Sequence, residues 1–169
     1  MKIRRGFVSN SSSSSYVVYI PYNPKLDNLG LKYIPNILSN NIDFRYNEPD
    51  DDTLVITKNF AKTDFGWGPE KITDTYSKII FARLQAYYAE NNKYLKLIEE
   101  AIKEITGYKK ILWEFNPETD GYIDHQSCAS EGENTQMFYS KQDMINFLFG
   151  NSFIQLDNDN HIQLDNDNH

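Results

Sequence analysis

The sequence predicts a mixed α+β protein, with one domain over residues 1–153 and a tail over residues 154–169. Hydrophobic residues make up 40% and aromatic residues 14% of the 169 positions, unlike the composition of a disordered chain. Short β-branched and aromatic runs predict strands, and a central stretch has apolar residues at helical spacing. We therefore expect an antiparallel sheet of roughly four to six short strands, packed against a helix pair within 69–106 and a small C-terminal helix.

The first third of the chain predicts strands with little helix. "SYVVYIPY" is a β-branched and aromatic run that ends at a proline, as strands commonly do. "TLVITK" is a second clear strand, whereas "KIRRGFV" and "IDFRY" predict shorter ones. In between, Gly30 and Pro35 interrupt "NPKLDNLGLKYIPNILSN", which predicts short helical turns only.

Two helices are predicted in the middle of the chain. Gly68, Pro69 and Glu70 are typical of a helix start, because proline suits the first helical position. Asn91 is expected to separate the helices and cap the second, and Gly107 to end it. The apolar residues recur at three- and four-residue steps: Ile72, Tyr76, Ile79, Ile80, Leu84, Tyr87 and Tyr88, then Leu95, Ile98, Ile102 and Ile105.

The last third predicts two strands, "KKILWEF" and "SFIQL", and a strand or loop at "YIDHQSC". "SKQDMINFLF" predicts a short helix with Ser140 as its N-cap and Gly150 at its end. The octamer "IQLDNDNH" at 154–161 recurs unchanged at 162–169. Two copies of so short a unit cannot build a repeat architecture, so we expect a tail there.

Charge and composition limit the classes of partner. A net charge of −7 disfavours direct binding to nucleic acid. A charge of this size is ordinary for solubility, and a solvated surface is favoured over a surface that binds a basic partner. One cysteine, Cys128, excludes an internal disulfide. Asp157 and Asp159 have calcium-loop spacing but lack the loop's glycine and final acidic residue. We expect a cytoplasmic protein without metal, cofactor or membrane span.

The N-terminal serine run is the most unusual motif. Composition alone favours a flexible linker, although serine side chains also bind nearby backbone groups and accept phosphate. The motif consists of Gly6, Phe7, Asn10, Ser11, Ser12, Ser13, Ser14 and Ser15.

"RRGFVSNSSSSSY" resembles the opening of a family of uncharacterised proteins from bacteriophages and prophage-bearing bacteria. "FGWG" at 65–68 and "GYIDHQS" at 121–127 are similar to segments met in such proteins. The resemblance implies a phage association and a purpose for the run as a unit: an N-terminal signal, a modification or processing site, or a fixed structural turn. It carries no activity with it.

"DHQSC" contains the residue types of nucleophilic catalysis. Strand alternation would place His125 and Ser127 on one face and Asp124, Gln126 and Cys128 on the other. A hydrogen-bonded structural histidine is therefore favoured over a catalytic one, and an enzyme built on Asp124, His125 and Ser127 is kept as an alternative.

Two segments are candidates for protein binding. In "FGWG" the two glycines bracket Trp67, and a turn that docks Phe65 and Trp67 on the core is expected, whereas an exposed Trp67 would anchor a partner. Asp50, Asp51 and Asp52 form an acidic turn.

The preferred functional hypothesis is a non-enzymatic, phage-encoded protein that binds and inhibits a host protein of defence or nucleic-acid handling. Anti-CRISPR inhibition is one concrete form of it. A small enzyme acting on a nucleotide or protein is the first alternative, and a virion or assembly component with a processed N-terminus is the second.

Overall fold

The computed structural model describes residues 13–20, 52–59, 61–66, 70–124 and 127–158, and it confirms the mixed α+β class. In chain order the elements are β1 (Ser13–Val18), β2 (Thr53–Ile56), β3 (Glu70–Ile72), α1 (Thr75–Tyr88), α2 (Asn92–Thr106), β4 (Lys110–Trp113), α3 (Lys141–Phe149) and β5 (Phe153–Asn158). Short 3₁₀ turns, Ala129–Glu131 and Gln136–Phe138, lie between β4 and α3. The strands predicted at "KIRRGFV" and "IDFRY" and the helical turns between them fall outside the described residues.

β5 is the central strand of an antiparallel sheet with the order β1-β5-β3. Ile154 lies opposite Val17 on one side and Ile72 on the other. Its side chain and that of Leu156 are fully buried. The predicted boundary after residue 153 is therefore wrong, because the first octamer supplies most of the middle strand as far as Asn158. The second octamer lies outside the described residues.

β2 and β4 form a separate pair, and they run parallel. The prediction of one antiparallel sheet with four or more strands is therefore corrected to a three-stranded antiparallel sheet and a parallel pair within the described part of the chain. Parallel strands need a long crossover, which the segment containing β3, α1 and α2 supplies. All four residues of β2 are buried, as expected for a strand covered on both faces.

The first helix begins later than the sequence predicted. Glu70–Ile72 pairs with β5 as a strand, and the side chain of Asp74 then caps α1 by accepting a hydrogen bond from the Ser77 amide. The predicted start near Pro69 and the helical assignment of Ile72 are therefore wrong, because pairing with β5 satisfies this backbone instead.

The other predicted helix ends are confirmed. Asn91 caps α2 by accepting a hydrogen bond from the Lys93 amide. Gly107 ends that helix with φ of 82°, in the left-handed region that favours glycine. Ser140 caps α3 through the Asp143 amide, and Gly150 follows its last residue. These signals were readable because caps depend on local backbone geometry.

Ser13–Ser15 belong to β1 and pair with β5. The linker interpretation is therefore wrong for these three serines. The Ser15 side chain is fully buried, so a modifying enzyme has no access to it in the folded protein.

Candidate functional site

The segments "FGWG" and "GYIDHQS" lie side by side in the fold. Asp64 and Tyr122 form a parallel bridge. The Phe65 amide donates to the Tyr122 carbonyl at 2.9 Å, and the Tyr122 amide donates to the Thr63 carbonyl at the same distance. The chain is tightly packed here, since a Cβ added to Gly66 would lie 2.8 Å from the Tyr122 ring.

The serine run joins the same region. The Ser15 amide donates to the Ser127 hydroxyl at 2.8 Å. The serine run and the "FGWG" segment therefore each contact the "GYIDHQS" segment, although β1 and Ser127 are more than a hundred residues apart in the chain. This meeting point is the candidate functional site.

Gln85 of α1 stabilises the site through hydrogen bonds from its buried side chain. Its Nε2 donates to the Ser127 carbonyl at 2.9 Å, and its Oε1 accepts from the Ala129 amide at 2.6 Å. Gln85 is fully buried, and a buried amide side chain is stable only when its donors and acceptor are paired. Gln85 therefore fixes the path of the chain through Ser127–Ala129.

Asn134 forms hydrogen bonds to the edge of β1 that faces away from β5, as a neighbouring strand would. Its Oδ1 accepts from the Val17 amide at 3.0 Å, and its Nδ2 donates to the Ser15 carbonyl at 3.2 Å and the Ser127 carbonyl at 2.8 Å. Its φ of 53° is left-handed, a conformation that asparagine tolerates better than most residues. One side-chain amide thus replaces the peptide group of a fourth strand.

Of the predicted catalytic residues, Ser127 has a structural role in this arrangement. Ser127 is fully buried, and its hydroxyl already accepts a hydrogen bond from the Ser15 amide. The chain turns rather than continuing as a strand, since the Ser127 amide donates to the Asp124 carbonyl at 2.8 Å. The predicted strand alternation from Asp124 to Cys128 is therefore wrong. His125 and Gln126 lie outside the described residues.

Tyrosines form the exposed part of the site. Tyr122 is 46% exposed and Tyr87 is 37% exposed. The Tyr87 and Tyr88 rings meet edge to face with centroids 5.3 Å apart. We call Tyr87, Tyr88, Tyr122 and the exposed Asp64 the tyrosine face.

The charges around these tyrosines are negative. Burial raises the pKa of Tyr122, and the carboxylates of Asp124 and Asp64 raise it further. Burial also raises the pKa of Tyr88, and the Ile123 backbone opposes this through a hydrogen bond to the hydroxyl. Both hydroxyls therefore stay protonated near neutral pH, and that of Tyr122 lies near carboxylates.

The structure places the predicted protein-binding residues in different environments. Phe65 is fully buried and packs against Phe81 with ring centroids 5.0 Å apart, so it belongs to the core and cannot touch a partner. Asp52 is exposed, and its carbonyl accepts from the Lys109 and Lys110 amides. Trp67, Asp50 and Asp51 lie outside the described residues, as do Gly6, Phe7, Asn10, Ser11 and Ser12 of the N-terminal motif.

The described residues contain no cluster of three or more histidine, cysteine or carboxylate side chains that could hold a metal ion. Nor does any helix within the described ranges have the length and apolar character to cross a membrane.

Sequence reasoning missed Gln85 and Asn134. Gln85 lies between Leu84 and Ala86 within an apolar helix, and this interruption was the only available signal. Asn134 lies in a polar connection, where nothing in the sequence distinguishes a structural asparagine from a solvated one.

Comparisons of this chain with protein-family models, with curated proteins and with solved structures return no match. The fold and the site define a mixed α+β protein in which a helix-borne glutamine binds the Ser127–Ala129 connection and a loop asparagine joins Ser127 to β1.

Proposed function

We propose that this protein is a non-enzymatic protein-binding module, encoded by a phage and acting in the cytoplasm of the bacterial host. Its partner is a host protein of defence or nucleic-acid handling with a basic surface, and anti-CRISPR inhibition is one form of this activity. The resemblance of the N-terminal motif supports the phage origin, and the net charge of −7 supports a basic partner.

The tyrosine face carries this proposal. Tyrosine is enriched in protein interfaces because its ring buries a large area while its hydroxyl still finds a partner. Here Tyr122 is exposed beside Asp64, and Tyr87 is exposed where its ring meets Tyr88, which combines aromatic anchors with negative charge. By contrast, the hydroxyl of Ser127 is buried and already bonded to the Ser15 amide, which argues against Ser127 as a nucleophile.

The test is affinity capture from a bacterial lysate with the full chain, compared with Tyr87→Ala/Tyr122→Ala. We expect one dominant basic protein with the parent chain. Its recovery should fall at least tenfold with the double variant, since interface tyrosines commonly contribute more than 1 kcal/mol each. Raising the salt concentration should also reduce recovery.

Leu112→Ala is the control, because Leu112 is 49% exposed and is not part of the tyrosine face. His125→Ala distinguishes an enzyme from a binding module, since it should abolish any catalysis and leave capture of the partner unchanged. Equal capture by the parent chain and the double variant would overturn the proposal.

A further inference from the structure

The edge of β1 that faces away from β5 is satisfied over only part of its length. In an antiparallel pair, alternate residues direct both amide and carbonyl to the same side. The amide and carbonyl groups of Ser15 and Val17 point away from β5, on the side where Ser127 and Asn134 lie. The structure gives the Val17 carbonyl and the Tyr19 amide no hydrogen-bond partner among the described residues. Within the described part of the chain, the edge is therefore open immediately beyond Asn134.

A groove runs along this open edge. It consists of two adjoining cavities of about 310 Å³ and 170 Å³, both lined by Tyr19 and Gln136. Tyr19 is held in place, because its hydroxyl accepts from the Met137 amide at 3.1 Å and its ring contacts Phe147 with centroids 6.3 Å apart. Tyr139 stands at the rim with 72% of its surface exposed.

The described residues that line the groove include Asp143 and no lysine or arginine. One oxygen of Asp143 accepts a hydrogen bond from the Ser140 hydroxyl at 2.9 Å, and the described residues give the other oxygen no hydrogen-bond donor. Burial raises the pKa of the Tyr19 hydroxyl, and the carboxylate of Asp143 raises it further. The groove therefore combines free strand-edge groups with a negative charge.

We propose that this groove binds an extended basic segment of another protein as an additional strand beside Val17–Tyr19. The segment's backbone pairs with the Val17 carbonyl and the Tyr19 amide, the mode known as strand addition. A lysine or arginine of the segment binds Asp143, and the exposed Tyr139 ring packs on its side chain. Asn134 already pairs with β1 in the manner of a strand, and the guest continues that pairing.

The experiment uses the full chain and a synthetic peptide of about six residues with alternating threonine and lysine. Binding is followed by fluorescence anisotropy and by amide NMR of the labelled protein. We expect the amide signals of Val17 and Tyr19 to shift, and a matched threonine–glutamate peptide to leave them unchanged.

Asp143→Asn should weaken binding about tenfold, since it removes a charged hydrogen-bond acceptor. This change keeps the side chain's size and its contact with Ser140. Tyr122→Ala is the control, because Tyr122 does not line the groove; unchanged peptide binding there separates this site from the tyrosine face.

Peptides with N-methylated backbone amides test strand addition directly. Methylation at alternate positions removes the donors on one side of an extended peptide only. One methylated register should abolish binding and the other should retain it. Equal binding by both, or unshifted Val17 and Tyr19 signals with the lysine peptide, would overturn the proposal.

Discussion

Two neighbouring helices in this fold bury different kinds of side chain. α2 follows the usual amphipathic pattern, with Ile98, Ala101 and Ile102 buried and charged residues such as Lys96 and Glu100 exposed. α1 is buried on most of its circumference and includes polar and charged residues in its buried set. These are Tyr76, Ser77, Lys78 and Gln85.

Each of these polar side chains binds a different segment. The Tyr76 hydroxyl accepts from the Thr57 amide and donates to the Thr57 carbonyl, and Ser77 accepts from the Lys62 amide. Lys78 and Gln85 bind the connections after α3 and around Ser127. The comparison shows that α2 supplies apolar area, whereas α1 also determines where the surrounding loops lie.

The largest effect is expected from Lys78. Its Nζ donates to the carbonyls of Gly150 and Ser152 at 3.0 and 2.8 Å, and the residue has no exposed surface. Lys78→Met keeps the side chain's length but deprives both carbonyls of this donor, so the free energy of unfolding should fall by about 2–4 kcal/mol. Urea denaturation measures it. Lys96→Met, at an exposed position of α2, should change the free energy of unfolding by no more than about 0.5 kcal/mol. A similar loss in both variants would contradict the distinction between the two helices.

A smaller loss is expected from Gln85→Leu. The Ser127 carbonyl would lose one of its donors and the Ala129 amide its acceptor, at a cost of about 1–3 kcal/mol. Hydrogen exchange should also accelerate at the Ser15 amide, because Ser127 is its acceptor. Gln142→Leu, at an exposed position of α3, is the control. Unchanged exchange at Ser15 in the Gln85 variant would show that Gln85 does not position Ser127.

The smallest of the three effects is expected from Tyr76→Phe, at about 1–2 kcal/mol for the hydroxyl and the two Thr57 groups it binds. Burial raises the pKa of Tyr76 above its ordinary value of 10.0. The protonated hydroxyl's contribution is therefore complete below pH 10 and is lost as the pH rises through the folded-state pKa. The stability difference between the parent chain and the variant should narrow above pH 10 in urea titrations, and a constant difference would contradict this account.

Local signals were read well from the sequence. Asn91, Gly107 and Ser140 were correctly placed because capping depends on a few neighbouring residues. β2 and β4 were also recognised as strands from their apolar runs. Their parallel pairing was not, because periodicity does not specify a partner or a direction.

The misplaced elements have one physical cause. Ser13–Ser15 have linker-like composition and Glu70–Ile72 follow a helix-start signal, yet both segments are strands because β5 lies between them and pairs with each. The candidate site has the same origin, since Ser15, Ser127 and Asn134 meet through long-range hydrogen bonds.

The sequence by itself determined the α+β class, the helix pair, most of the helix ends and the acidic charge. These properties follow from composition and from interactions within a few residues. Only the tertiary structure decided that part of the serine run becomes a strand, that the first octamer forms the centre of a sheet, and that Gln85 and Asn134 bind the chain at Ser127 and β1. A strand's partner and a buried amide's hydrogen bonds depend on residues far away in the chain, and no local pattern encodes them.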